Sequence, residues 1–149
     1  MLTQAGAIWQ MLDERISGKP LPKGLDAAWD AGVGMVGRFL PRRHIFLKRA
    51  EKVLAWEKTF SGLADAKLRE TAGELKETFR CRHDSPSDLE RAFALVREVA
   101  YRQIGEKPFP VQIAGAFALE NGCVVEMATG EGKTLTASLT ATVAGWRGR

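Results

Sequence analysis

Cysteine is scarce. The 149 residues hold two, Cys81 and Cys123, far apart and outside any CxxC pair. That excludes a disulfide framework and a cysteine-rich zinc site, and it points to a reducing cytoplasm. Histidine is equally thin, and neither His44 nor His83 stands at metal-ligand spacing from a cysteine. No run reaches the ~18 apolar residues of a membrane helix. The first residues alternate polar and apolar side chains and include Asp13 and Glu14, which argues against a signal peptide. There is no internal repeat and no low-complexity tract. The excess of positive charge is mild. The net +4 permits contact with an acidic membrane surface or nucleic acid and demands neither. What is present is ordinary for a globular chain of one domain's length: 45% hydrophobic and 27% charged residues.

Periodicity divides the chain. Leu2 to Ser17 carries a helical stripe through Leu2, Ala5, Ile8, Trp9, Leu12 and Ile16, ended by Gly18 and Pro20. Lys19 to Gly24 reads as a linker. Leu25 to Leu40 is a weak helix or ordered loop, because Gly32, Gly34 and Gly37 each cost up to about 1 kcal/mol in a helix. Pro41 stops it. Arg42 to Lys52 is basic and reads as a solvated helix face in preference to an anionic-lipid contact. Ala50 to Phe60 and Ala64 to Arg80 follow with helical spacing. The helix Pro86 to Ile104 has the fullest set of signals: Ser85 as N-cap, Pro86 at the first position, Asp88 completing a capping box and Gly105 to end it. A further helix runs from Pro110 to Glu120. Then comes a short apolar strand, Cys123 to Met127, and a helical run from Leu135 to Ala144.

Between that strand and that helix lies Met-Ala-Thr-Gly-Glu-Gly-Lys-Thr, residues 127 to 134. Strand, glycine turn, Lys-Thr and helix form the setting of a phosphate-binding P-loop. Gly130 and Gly132 let the backbone take positive φ and approach an anion. Turn N–H groups and the first helical turn then face the phosphates, with Glu131 part of the cradle. Lys133 suits the β- and γ-phosphates of ATP, and the Thr134 hydroxyl suits Mg²⁺. Met127 replaces the first glycine of the strict pattern, as in the looser helicase-type loop.

One absence bears directly on this motif. After Glu131 there is no aspartate or glutamate. P-loop ATPases hold Mg²⁺ with an acid on a later strand. A parallel strand such as Cys123 to Met127 also needs neighbours on both sides. The expectation is therefore an α/β protein in part: a helical N-terminal region leading into the first strand, P-loop and helix of an incomplete RecA-like, helicase-type nucleotide-binding domain. These residues read as the front end of a longer ATPase, with little hydrolysis of their own.

Upstream, Gln112 on the helix beside the loop can donate and accept at once, matching N6 and N7 of adenine. Phe109 could pack against the base or fill core, and reads as core in preference. From Ala92 to Thr134 the sequence is AFALVREVAYRQIGEKPFPVQIAGAFALENGCVVEMATGEGKT. It resembles the start of the motor domain of the SecA preprotein translocase family, whose pattern runs AFA-VRE-A-R-LG, F-x-VQ and then EM-x-TGEGKT. The stretch FSGLADAKLRETAGELKETFRCR resembles the family's preceding segment. Glu126 to Thr134 is the most specific part, since generic helicases usually carry a small residue at position 131. Pro110, Ala128 and Ala114-Gly115 depart from the pattern without removing a phosphate ligand. The resemblance covers about Glu51 to Leu139. It divides the chain into a divergent N-terminal extension with linker, 1–48, and the truncated start of a motor domain, 49–149.

The resemblance implies an ATPase that drives unfolded preproteins through the SecYEG channel, cytoplasmic and peripheral to the inner membrane, with ATP and Mg²⁺ as cofactors. It implies catalytic roles for Lys133 and Thr134. It implies nucleotide contacts from Gln112, Gly130, Glu131, Gly132, Lys133 and Thr134, and a metal contact from Thr134. Two other readings stay open. One is an RNA or DNA helicase, although no basic-aromatic strip for stacking bases is present. The other is a non-enzymatic helical module with a vestigial P-loop.

Overall fold

The computed structural model describes residues 42–148. The helix expected over 2–17, the linker 19–24, the weak helix 25–40 and the stop at Pro41 lie outside the described residues. Six helices follow: α1 Arg42–Ala55, α2 Glu57–Ser61, α3 Asp65–Arg80, α4 Pro86–Ile104, α5 Pro110–Glu120 and α6 Lys133–Trp146. The single helix expected over 50–60 is split at Trp56, which turns the chain between α1 and α2 and stacks its ring 6.1 Å from Phe60. The domain boundary expected between residues 48 and 49 falls inside α1.

Helix α4 starts and stops where its sequence signals stand. The Ser85 hydroxyl accepts from the Asp88 N–H at 3.2 Å, and the Asp88 carboxylate accepts from the Ser85 N–H at 3.0 Å. This reciprocal pairing satisfies donors the helix end would otherwise leave open. Gly105 closes the helix in the left-handed region, φ 75°.

Helix α4 is the centre of the packing. Leu89, Ala92, Phe93 and Leu95 are buried, and α1, α2, α3 and α6 all lie against it. Helix α5 packs on α1 and α6, and Phe117 meets Phe93 with ring centroids 4.7 Å apart. Tilted rings at that separation add a favourable quadrupole term to the burial of two large side chains. Leu139 and Val143 of α6, Ile113 of α5 and Phe79 of α3 complete the core. Glycine at 115 lets α5 come close to α6: a Cβ there would stand 3.2 Å from the Thr136 methyl and 3.6 Å from Val125.

Buried charges are paired, as their desolvation requires. Glu90 accepts from Arg49 at 3.2 Å, and the same guanidinium lies 4.1 Å over the Phe117 ring. Glu98 accepts from Arg102 at 2.8 Å. Arg147, just past α6, bonds Asp84 at 2.6 Å and pairs with Glu120, tying the end of α6 to the α3–α4 turn and to the end of α5.

The strand expected from Cys123 to Met127 does not form. Residues 123–128 run between α5 and the glycine turn with no ladder partner, and among the described residues there is no strand at all. Val124 is 99% exposed. A strand exists only through hydrogen bonds to a neighbour, and no described segment presents an edge here. The described part of the molecule is therefore helical.

Candidate functional site

The glycine turn and the end of α5 meet at one place. Gly130 and Gly132 have φ of 89° and 78°, the left-handed region their lack of a side chain opens. Lys133 and Thr134 begin α6, and both are exposed. The first intrahelical bond in that helix is Thr136 N–H to Gly132 C=O at 3.1 Å. The N–H groups of Lys133, Thr134 and Leu135 consequently lack helical acceptors. Together with the positive end of the helix dipole they make an anion-attracting rim.

The loop is closed on itself through Ala128. The Lys133 ammonium donates to the Ala128 carbonyl at 2.9 Å. The Glu131 carboxylate accepts from the Ala128 N–H at 2.7 Å. A phosphate arriving at the rim would compete with the Ala128 carbonyl for the lysine. The Glu131 side-chain bond had no sequence signal, because nothing in the motif fixes which loop amide that carboxylate faces.

Gln112 is the side chain that joins α5 to the loop. It is 6% exposed. Its Oε1 accepts from the Phe109 N–H at 2.8 Å, and its Nε2 donates to the Glu131 carbonyl at 2.7 Å. An N–H can face only the oxygen, and a carbonyl only the NH₂ group. The two neighbours thus fix which end of the carboxamide is which. One lone pair and one N–H are left for a ligand. A Cβ at position 132 would collide with this carboxamide, so glycine there is required by space as well as by φ.

Phe109 is not core. It is 67% exposed. As the residue before Pro110 it takes an extended backbone, φ −75° and ψ 160°, and caps α5 from outside the helix. Its side chain then faces away from the packed interior. With Val111, Gln112, Val125, Glu126, Met127, Gly130 and Glu131 it lines a cavity of about 330 Å³ beside the loop. An apolar cleft with a fixed carboxamide at its edge has the character of a small-ligand pocket.

Among the described residues no cluster of three acidic, histidine or cysteine side chains is placed to hold a metal ion. Likewise, no helix there is long and apolar enough to cross a membrane.

Comparison with known proteins agrees with the motif. A family model described as the SecA DEAD-like domain matches residues 41–149. Protein translocase subunit SecA 2 of Streptococcus sanguinis is 43% identical over 102 residues, covering 66% of this chain and 13% of that protein. The SecA 2 subunit of Chlorobium chlorochromatii is 36% identical over 130 residues, covering 87% of this chain and 20% of its own length. That of Magnetococcus marinus is 34% identical over 142 residues, covering 93% and 21%. The chain thus spans from about an eighth to a fifth of the length of these relatives. With a family model over residues 41–149 and relatives at this level of identity, the chain belongs to the SecA family of protein translocase subunits.

Proposed function

We propose that this chain supplies the ATP-binding front of a SecA-type motor, which couples nucleotide hydrolysis to movement of unfolded preproteins through SecYEG. The observation that carries the reading is the joint between Gln112 and the glycine turn. One side chain touches the loop backbone that would cradle phosphates and keeps two polar positions free for a base. In this reading the backbone of Gly130 to Thr134 receives the β- and γ-phosphates. Lys133 leaves the Ala128 carbonyl to bond them. The free lone pair of Gln112 accepts from adenine N6 and its free N–H donates to N7. Guanine would set its O6 acceptor against that lone pair, so ATP is preferred over GTP. Thr134, at the first turn of α6, is the side chain this reading gives to Mg²⁺. With no carboxylate cluster nearby, the ion would keep its waters and phosphate oxygens as other ligands.

Family membership supports carrying the proposal further, to export of preproteins, a SecYEG partner and a position at the inner membrane. The Arg42, Arg43 and Lys48 side chains are exposed, which suits an acidic lipid surface and equally a solvated helix face.

The test is equilibrium binding of a fluorescent ATP analogue to the 149-residue chain, with and without Mg²⁺. Saturable binding displaced by ATP and weakened at least tenfold, about 1.4 kcal/mol, by Lys133→Ala is the expected result. Binding that ignores Lys133→Ala would remove the reading.

A further inference from the structure

We propose that Arg97 is a positioning residue for base recognition: half-buried on α4, it holds the backbone that holds the Gln112 carboxamide. The proposal rests on the nucleotide reading above and adds a residue that lies outside the P-loop motif.

Five bonds run from α2 and α4 to the glycine turn. The Arg97 Nε–H donates to the Pro108 carbonyl at 2.9 Å. Its other arm pairs with Glu57 of α2 at 2.9 Å, and Lys107 reaches the second oxygen of the same carboxylate at 2.6 Å. The loop Gly105–Phe109 is thereby clamped at two adjacent residues, Lys107 and Pro108. Pro108 is fully buried. The next residue is Phe109, whose N–H meets Gln112 Oε1 at 2.8 Å. That bond sets the plane of the carboxamide, and the bond from Nε2 to Glu131 at 2.7 Å carries the setting to the loop. Removing the first link frees the Pro108–Phe109 peptide. The Phe109 N–H then no longer selects one face of Gln112, and the lone pair and N–H left for adenine lose their fixed places.

A planar guanidinium is suited to this task. It donates to a carbonyl and a carboxylate at once in a rigid fork, which an ammonium does less well. The Arg97 side chain is 13% exposed, so its bonds are shielded from competing water. Arg102, one turn further along α4, provides a matched control. It is 21% exposed and bonds Glu98, Asp65 and the Phe60 carbonyl, with no link to the 105–109 loop.

The experiment measures displacement of a fluorescent ATP analogue by ATP, GTP and inorganic tripolyphosphate on the full chain. Wild type, Arg97→Met, Arg102→Met and Glu57→Gln are compared well below their melting temperatures. Arg97→Met is expected to lower ATP affinity about tenfold, the scale of one lost buried hydrogen bond to a charged group. It should bring the ATP-to-GTP ratio close to unity and move tripolyphosphate affinity by less than about threefold. Arg102→Met should lower the melting temperature and leave the ratio as in wild type. Glu57→Gln loosens the same clamp from its outer end and should reduce the ratio by less. If Arg97→Met shows no cooperative melt, the Glu57→Gln ratio decides: a ratio equal to wild type overturns the proposal. An Arg97→Met protein that keeps its ATP preference overturns it alone. A wild-type chain that binds neither ATP nor tripolyphosphate overturns the nucleotide reading and this proposal together.

Discussion

Gly132 carries two separate demands at a single residue. Its φ of 78° lies where a Cβ is strained, and the space above its Cα is filled by the Gln112 carboxamide. Gly132→Ala should therefore lower stability by about 1–3 kcal/mol and also break the Gln112–Glu131 bond. Thermal melting and ATP-analogue titration of the same variant check both parts. A melt like that of wild type would mean the loop re-forms around the methyl group. Asp88 gives the pH-dependent case. The Ser85 hydroxyl, then the Ser85 N–H and Arg91, hold its carboxyl below the usual carboxylate range. A depressed folded pKa adds stability above the unfolded value, near 4, and that stability is lost as pH falls through the folded value. The melting-temperature gap between wild type and Asp88→Asn should stay level from about pH 7 to 5 and narrow below about pH 4. A gap independent of pH would show that the charge of Asp88 contributes nothing.

Elements differ in how far they stand on their own sequence. Helix α4 owns both its ends, through the Ser85–Asp88 box and Gly105. Ser85→Ala should cost about 1 kcal/mol, read by chemical denaturation with an unchanged m-value. Helix α5 has half a box: Gln112 accepts from the Phe109 N–H, and phenylalanine has no acceptor to give in return. Its start depends on a residue that also serves the loop, so Gln112→Ala should fray the N-terminus of α5 as well as alter nucleotide preference. The run 123–128 is the opposite case. Among the described residues the amides of Val124 to Met127 have no acceptor. In a proven monomer they should exchange hydrogen at close to unprotected rates while the α4 amides stay protected. Strong protection at Val124 and Val125 would mean that this segment has found a neighbour.

At the scale of the whole molecule, among the described residues, α1, α2, α3 and α6 converge on α4, and the glycine turn leads from the end of α5 into α6. The core is anchored by aromatic pairs: Phe93→Ala should cost about 3–5 kcal/mol in equilibrium unfolding. The site is built from one side only. On the proposed nucleotide reading it would offer a phosphate rim, a base reader and the Thr134 hydroxyl for a metal, and these 149 residues hold no acid after Glu131. The 149-residue chain should therefore bind ATP without turning it over above background. Phosphate release by the purified chain that disappears in Lys133→Ala would show that the residues here complete a hydrolytic site.

Much of this was legible in the sequence because it is short-range. Capping boxes, helical stripes and the positive φ of Gly130 and Gly132 depend on residues within a few positions of one another, so α3, α4 and α5 and the bend of the loop follow from local chemistry. The family resemblance was legible for the same reason, in the unbroken string Glu126 to Thr134. Other features needed neighbours in space. Whether Cys123 to Met127 forms a strand depends on a second strand, and sequence periodicity says nothing about its presence. Phe109 looked like core from composition. Its exposure follows from the extended backbone before Pro110 and the packing of α5. Arg97 stands in the AFA-VRE string of the resemblance, yet no local pattern gave it, Glu57 or Lys107 a role, because their partners lie 11 to 50 positions away. Hydrogen bonds over such separations exist only after α2 and α4 have packed, and so tertiary structure alone decided what holds Gln112 in place.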